Sequence, residues 1–245
     1  MRVIPVLDVQ GGVAVHAVAG RRHEYRPLTS RLTSATDPVE VARAFRAHLA
    51  CPELYLADLD AICRGYRNPF LYQSLVEIGL SLWLDAGVRS AEDAVELAAL
   101  PLAKIVLGLE TLRGPEVVAE IAGRFDWDRL VFSLDLRNGE PICSPTWPTR
   151  DALEILSLVR RFGIETVILL DLARVGTGSG FGTETLCRNA RQCWPNLHIV
   201  LGGGIRGPED LKRAKECGAD AVLVASALHD GRLTRADLEA VSRSS

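Results

Sequence analysis

The segment Arg2-Val3-Ile4-Pro5-Val6-Leu7-Asp8 is an apolar run closed by a carboxylate, and it recurs half a chain later as Arg129-Leu130-Val131-Phe132-Ser133-Leu134-Asp135. Near-continuous apolar runs of this kind are what parallel strands buried on both faces look like. A strand that carries an Asp to its carboxyl end is how a (β/α)8 barrel presents a catalytic side chain, because the active site of that fold lies on that face. Asp8 and Asp135 are therefore the candidate acid/base pair. An Asp at a strand end also caps turns, but two in equivalent, facing positions favour chemistry. Within such a pair different environments push the two pKa values apart, so that one carboxylate takes a proton while the other gives one.

Working outward, further apolar runs at residues 53–58, 80–85, 104–108, 166–171, 198–201 and 221–224 read as strands. Helices are expected between them. Asp37-Pro38 supplies an N-cap and a proline at the first helical position, and Ser90-Ala91-Glu92-Asp93 is a capped start with acids in its first turn. Others begin near residues 69, 150, 183, 208 and 234. Eight strands alternating with helices predict a closed α/β (β/α)8 TIM barrel. An open doubly wound sheet would place a G-x-G-x-x-G turn after its first strand, and none follows Asp8. Residues 13–18 alternate as a small hairpin strand, and residues 21–36 are polar and arginine-rich without helical period. That stretch reads as a solvated excursion, with a mobile cover over the barrel mouth as the alternative.

The halves match each other. Gly87-Val88-Arg89-Ser90-Ala91-Glu92-Asp93 aligns with Gly204-Ile205-Arg206-Gly207-Pro208-Glu209-Asp210, and the same offset sets residues 105–108 over 222–225 without a gap. A long-period repeat of this kind predicts one domain made of two half-barrels, about residues 1–124 and 125–245.

Gly202-Gly203-Gly204, after the seventh strand, and Ala225-Ser226, after the eighth, form the strongest binding signal. Backbone without side chains approaches an anion closely, and barrels frequently bind phosphate between these two loops. Gly203, Gly204, Ala225 and Ser226 are thus expected to hold phosphate, rather than only to make tight turns. Gly176, Thr177 and Gly178, after the sixth strand, either add donors or form a flexible loop. The first-half counterparts are Asp85-Ala86 and Gly108-Leu109-Glu110. Two carboxylates there would each repel a phosphate by roughly several kcal/mol at intermediate dielectric, so no phosphate is expected at that end. Asp58 and Asp171 read as turn formers or as supports behind the catalytic pair.

Composition sets the outer limits. With 245 residues, 48% apolar and 24% charged, the chain is an ordinary globular sequence long enough for a full core. A net charge of −3 supplies no general basic field for nucleic acid or an anionic membrane. Cys51, Cys63, Cys143, Cys187, Cys193 and Cys217 show no C-x-x-C spacing and read as free thiols of a reducing compartment. The five histidines have no metal-ligand spacing and receive no role. The chain passes directly into its first strand and contains no apolar run of the length needed to span a membrane. A cytoplasmic protein with a phosphorylated small-molecule substrate, no metal site, no nucleic acid or membrane partner and no obligate protein partner is expected.

The motifs Ile4-Pro5-Val6-Leu7-Asp8, Asp58-Leu59-Asp60, Gly87-Val88-Arg89-Ser90, Leu134-Asp135-Leu136, Gly176-Thr177 and Gly202-Gly203-Gly204-Ile205 together resemble the histidine-biosynthesis barrels. The likeness is greater to the ribotide isomerase branch (phosphoribosylformimino-5-aminoimidazole carboxamide ribotide isomerase) than to its cyclase relative, and it runs nearly end to end. The resemblance implies a twofold-repeated barrel without metal or cofactor that catalyses an Amadori rearrangement of an aminoaldose to an aminoketose. The carboxylates matching Asp8 and Asp135 would open the ribose ring and move a proton from C2 to C1. The sequence departs from that pattern at Leu170 and Val175, where the family carries Thr and Asp, at His16, where it carries Arg, and at Asp85 and Glu110, where it binds a second phosphate. Three functions follow in order. The first is an isomerase of a phosphorylated ribosyl-amine, with the histidine-pathway reaction as its most specific form. The second is a paralogue acting on a singly phosphorylated metabolite of cofactor biosynthesis, and the third a non-catalytic phosphometabolite-binding barrel.

Overall fold

The computed structural model describes residues 1–243. Eight parallel strands close on themselves: β1 Arg2–Gln10, β2 Glu53–Asp58, β3 Ser81–Asp85, β4 Lys104–Gly108, β5 Leu130–Arg137, β6 Thr166–Asp171, β7 His198–Gly202 and β8 Ala221–Val224. Each pairs with the next in order, and β8 returns to β1 with Ala221 opposite Arg2 and Val224 opposite Pro5. Closure leaves no barrel edge to pair with another chain. The principal helices are α1 Pro38–Leu49, α2 Pro69–Glu77, α3 Ala91–Ala98, α4 Pro115–Ala122, α5 Ala152–Arg161, α6 Glu184–Cys193, α7 Pro208–Glu216 and α8 Arg235–Arg243.

The helix starts follow their capping chemistry. Asp37 Oδ1 accepts from the N–H groups of Val39 and Glu40 at 3.0 Å each, with Pro38 at the first helical position. Ser90 and Asp93 form a reciprocal box, in which Asp93 N–H donates to Ser90 Oγ (3.3 Å) and Ser90 N–H to Asp93 Oδ2 (3.1 Å). Caps of this kind contribute about 1 kcal/mol each.

The two-residue period of the strands decides which side chains meet. On β1, Leu7 and Val9 face the helices while Ile4, Val6 and Asp8 face the lumen. On β5, Phe132 and Leu134 face outward and Val131, Ser133 and Asp135 inward. Ile4, Tyr55, Trp83, Val106, Val131, Ile168, Val200 and Ala221 fill the lumen. Each fully buried aliphatic side chain there contributes roughly 1.5–3 kcal/mol. The lumen is therefore a solid plug, and chemistry is confined to the layer above it.

Three features depart from the sequence expectation. β1 continues past Asp8 to Gln10, because Asp8, Val9 and Gln10 pair antiparallel with Val15, Ala14 and Val13 of a short added strand, Val13–His16. Residues 21–36 are not a solvated excursion. They contain a one-turn 3-10 helix, Arg22–Glu24, and a two-residue strand, Arg26–Pro27, that pairs with the Val13–His16 strand. Leu28 is buried, and the segment is pinned by Arg22 to Glu110 and by Ser30 to His229. A short helix, Leu59–Arg64, also follows β2 at once, capped by Asp58.

Candidate active site

Above the lumen plug, at the carboxyl ends of the strands, lies a cavity of about 1270 Å³, solvent at its mouth included. That is ample for a sugar phosphate with a further substituent. Asp8 and Asp135 both line it. Asp135 is buried, with its Oδ1 accepting from the Ser133 hydroxyl at 2.6 Å and its Oδ2 from the Glu110 N–H at 3.1 Å. Asp8 is half-buried, and among the described residues nothing hydrogen-bonds its carboxylate.

Burial pushes the Asp8 carboxyl up to about 7, with the Asp85 charge adding to the shift and Arg22 opposing it. Burial likewise lifts Asp135 to about 7, against the pull of the Ser133 hydroxyl and the Glu110 N–H and with the help of the Asp85 charge. Two carboxyl groups poised this close to neutrality can divide the roles of acid and base at physiological pH. Leu170 and Val175 supply apolar wall to the same cavity, where the resemblance expects Thr and Asp. Apolar wall favours neutral carboxyls.

Asp85, read from the sequence as an obstacle to phosphate, lies in this cavity too. Its Oδ2 accepts from the Tyr55 hydroxyl at 3.1 Å and its Oδ1 from the Gly87 N–H at 3.2 Å. Burial raises it to about 6 despite those two hydrogen bonds. Burial and the surrounding carboxylates keep the Tyr55 phenol well above its ordinary range, so it remains a neutral donor. Glu110 stands beside it, paired with Arg22 at 2.8 Å.

The opposite end is lined by glycine. Gly203 and Gly204 adopt φ of +82° and +79°, in the left-handed region. A Cβ on Gly204 would collide with the Gly180 carbonyl, so only glycine fits. Among the described residues the N–H groups of Gly204, Ala225 and Ser226 find no acceptor within the protein. Gly176 and Gly178 also line the cavity, Gly176 pressed against the Ala17 carbonyl so tightly that no side chain is admitted. Thr177 does not join them: it is exposed, and its hydroxyl donates to the Arg174 carbonyl at 2.9 Å.

Asp58 and Asp171 are turn formers outside the cavity lining. Asp58 caps the Leu59–Arg64 helix through Ala61 N–H (3.0 Å) and takes the Tyr72 hydroxyl at 2.5 Å. Asp171 accepts from the N–H groups of Asn138 (3.0 Å), Gly139 (2.9 Å) and Ala173 (3.0 Å), which fixes the turn after β5.

Sequence reading missed Tyr55, Arg22, Tyr25, His16, His229 and Arg232, all of which line the cavity. Tyr55 was findable, since the period of β2 puts it on the lumen face two residues before Ala57. Arg22 and Tyr25 arrive on a segment without periodicity and left no signal. His229 is buried and held near a pKa of about 4, chiefly by desolvation and then by His16, so it is neutral while its Nδ1 meets Ser30 Oγ at 3.0 Å. No group of His, Cys, Asp and Glu among the described residues is arranged to hold a metal ion.

Several proteins are similar to this chain over most of its length. An uncharacterized protein of Methanocaldococcus jannaschii is 35% identical, covering 98% of this chain and 97% of its own. Proteins of Thermus thermophilus (33% identical; 95% of this chain, 96% of theirs) and Deinococcus radiodurans (30%; 95% and 95%) are each named 1-(5-phosphoribosyl)-5-((5-phosphoribosylamino)methylideneamino)imidazole-4-carboxamide isomerase. Residues 2–234 match the family described as histidine biosynthesis protein. With a barrel of this build, two carboxylates at the ends of β1 and β5 and a match that spans nearly the whole chain, the protein belongs to the histidine biosynthesis protein family.

Proposed function

We propose that the protein is a cofactor-independent aldose-ketose isomerase that carries out an Amadori rearrangement on a phosphorylated ribosyl-amine. The reaction named for its Thermus and Deinococcus relatives is the most specific form of that activity. The observation that carries the proposal is the pair Asp8 and Asp135: two carboxyl groups from strands four apart in the barrel, in one cavity, both lifted to about 7.

In this reading one carboxylic acid protonates the ribose ring oxygen as the C1–O bond breaks, leaving an iminium at C1. The other, ionised, removes the proton from C2 to give an enaminol. Return of a proton to C1 and loss of the hydroxyl proton at C2 yield the aminoketose, with no net change in protons or electrons. General acid/base catalysis contributes typically about 10²–10⁴-fold at each such step. The phosphate is held by Gly203, Gly204, Ala225 and Ser226, with Gly176 and Gly178 beside them, and Asp58 and Asp171 hold the strand-end turns in place.

The matched sequence motifs support a single domain of two half-barrels, residues 1–124 and 125–245, each delivering one carboxylate. The ligand is a phosphorylated small molecule. No described helix is long and apolar enough to cross a membrane, in keeping with a cytoplasmic enzyme.

The experiment is to express the chain in a histidine auxotroph lacking its own ribotide isomerase, with Asp8→Asn and Asp135→Asn variants in parallel. Growth with the native chain and none with either variant is expected if the histidine-pathway form of the activity holds. A second reading, a paralogue for a different, singly phosphorylated metabolite, is favoured by Asp85 and Glu110 in the cavity. It predicts no growth from well-folded protein that still isomerises other ribosyl-amine phosphates.

A further inference from the structure

The two ends of the cavity offer opposite chemistry. At the β7–β8 end, backbone N–H groups of Gly204, Ala225 and Ser226 are uncommitted. At the β3–β4 end the corresponding loops have turned their donors inward: Gly87 N–H donates to Asp85 (3.2 Å), Glu110 N–H to Asp135 (3.1 Å) and Leu109 N–H to the Ser133 carbonyl (2.9 Å). Two carboxylates stand where an anion would have to enter. The basic side chain at that end is Arg22, and it is already engaged with Glu110 at 2.8 Å. The Tyr55 hydroxyl is likewise spent on Asp85.

A phosphate dianion at the β3–β4 end would have to take Arg22 from Glu110 and then lie beside two half-buried carboxylates, in a cavity where screening is weak. A protonated amine reverses each of those terms. It donates to lone pairs that Asp85 and Glu110 leave free, and its charge is opposite to theirs. A glycine-lined anion cradle and a carboxylate-lined end at the two extremes of one cavity thus define a bipolar substrate.

We infer that the substrate carries a single phosphate, held at Gly204 and Ser226, and that its other end is a protonated amine or a comparable cationic, hydrogen-bond-donating group received by Asp85 and Glu110. This rests on the second reading above, an isomerase of a singly phosphorylated metabolite, and takes that reading as given for the reacting carbons between the two ends. Asp85 and Glu110 then determine specificity, because they reject the doubly phosphorylated substrate that a second anion cradle would accept.

The test uses three synthetic 1-amino-1-deoxyribulose 5-phosphates that differ only at the tip of a short chain on nitrogen: ammonium, methyl or phosphate. Their affinities for the unmodified protein are measured calorimetrically at neutral pH and low salt. The ammonium-tipped compound is expected to bind about tenfold or more tighter than the methyl-tipped one, and the phosphate-tipped compound about tenfold or more weaker. In Asp85→Asn and Glu110→Gln the spread should collapse. A phosphate-tipped compound that binds as well as the methyl-tipped one to the unmodified protein overturns the inference whether or not the variants fold. So does failure of all three to bind. If the expected order is seen but the matching N-substituted 5-phosphoribosylamines are not converted to these ketoses, the isomerase reading fails while the assignment of the two ends stands.

Discussion

On β5 the Ser133 hydroxyl donates to Asp135 Oδ1 at 2.6 Å, from a position two residues earlier on the same lumen face. It is the strongest local support for an ionised Asp135 in a buried place that otherwise favours the neutral acid. Hydrogen bonds to charged groups are worth about 1.5–3 kcal/mol, and one pKa unit corresponds to about 1.4 kcal/mol. Ser133→Ala should therefore move the Asp135-dependent limb of the pH–rate profile upward by about one unit and, where Asp135 acts as the base, lower kcat at neutral pH by about fivefold. A profile that stays in place would mean that Asp135 does not titrate in the reaction.

Asp85 bears on both candidate catalytic groups, since its charge raises Asp8 and Asp135 alike. Replacing it with Asn removes a negative charge beside each. Both limbs of the pH–rate profile should shift toward lower pH, in the direction opposite to Ser133→Ala. Movement of only one limb would show that Asp85 senses one partner alone.

The raised carboxyls also set how stability depends on pH. Asp8 and Asp135 sit near 7 and Asp85 near 6 in the folded protein, against about 3.9 in an unfolded chain. Between these limits the folded state binds more protons than the unfolded one, so stability falls as pH rises. The contribution of these groups is complete below about pH 4 and gone above about pH 7. Thermal unfolding followed from pH 5 to pH 8 should show a declining Tm, and Asp8→Asn, which removes a carboxylate with no hydrogen-bond partner among the described residues, should flatten the decline. A steeper decline in that variant would contradict the assignment.

Gly204 has φ of +79° and lies against the Gly180 carbonyl. Gly204→Ala is expected to cost about 1–3 kcal/mol of stability through strain and to raise KM for the phosphorylated substrate far more than it lowers kcat. A KM left unchanged in a folded variant would remove the phosphate from that loop.

The fold was legible because period and punctuation agree. Apolar runs ending in polar residues, caps such as Asp37 and Ser90, and the repeat of Gly87–Asp93 at Gly204–Asp210 all point to one barrel. Asp8 and Asp135 were legible because a strand end on the lumen face is fixed by chain geometry alone. Arg22 and Tyr25 were not, since their place depends on how an aperiodic segment folds back, through pairing with the Val13–His16 strand and anchoring at Glu110. Thr177 looked like part of the glycine loop in sequence, but its hydroxyl is satisfied by the loop itself.

The central claim is that Asp8 and Asp135 move a proton between C2 and C1 of a ribosyl-amine phosphate. The most direct measurement incubates the protein in D2O with a panel of 5-phosphoribosylamines, the ribotide of its relatives among them, and reads deuterium at C1 of any ketose formed. Ketose bearing deuterium at C1 with the native chain, and no ketose above background with Asp8→Asn or Asp135→Asn, is the expected result. Undiminished ketose formation by either variant would contradict it.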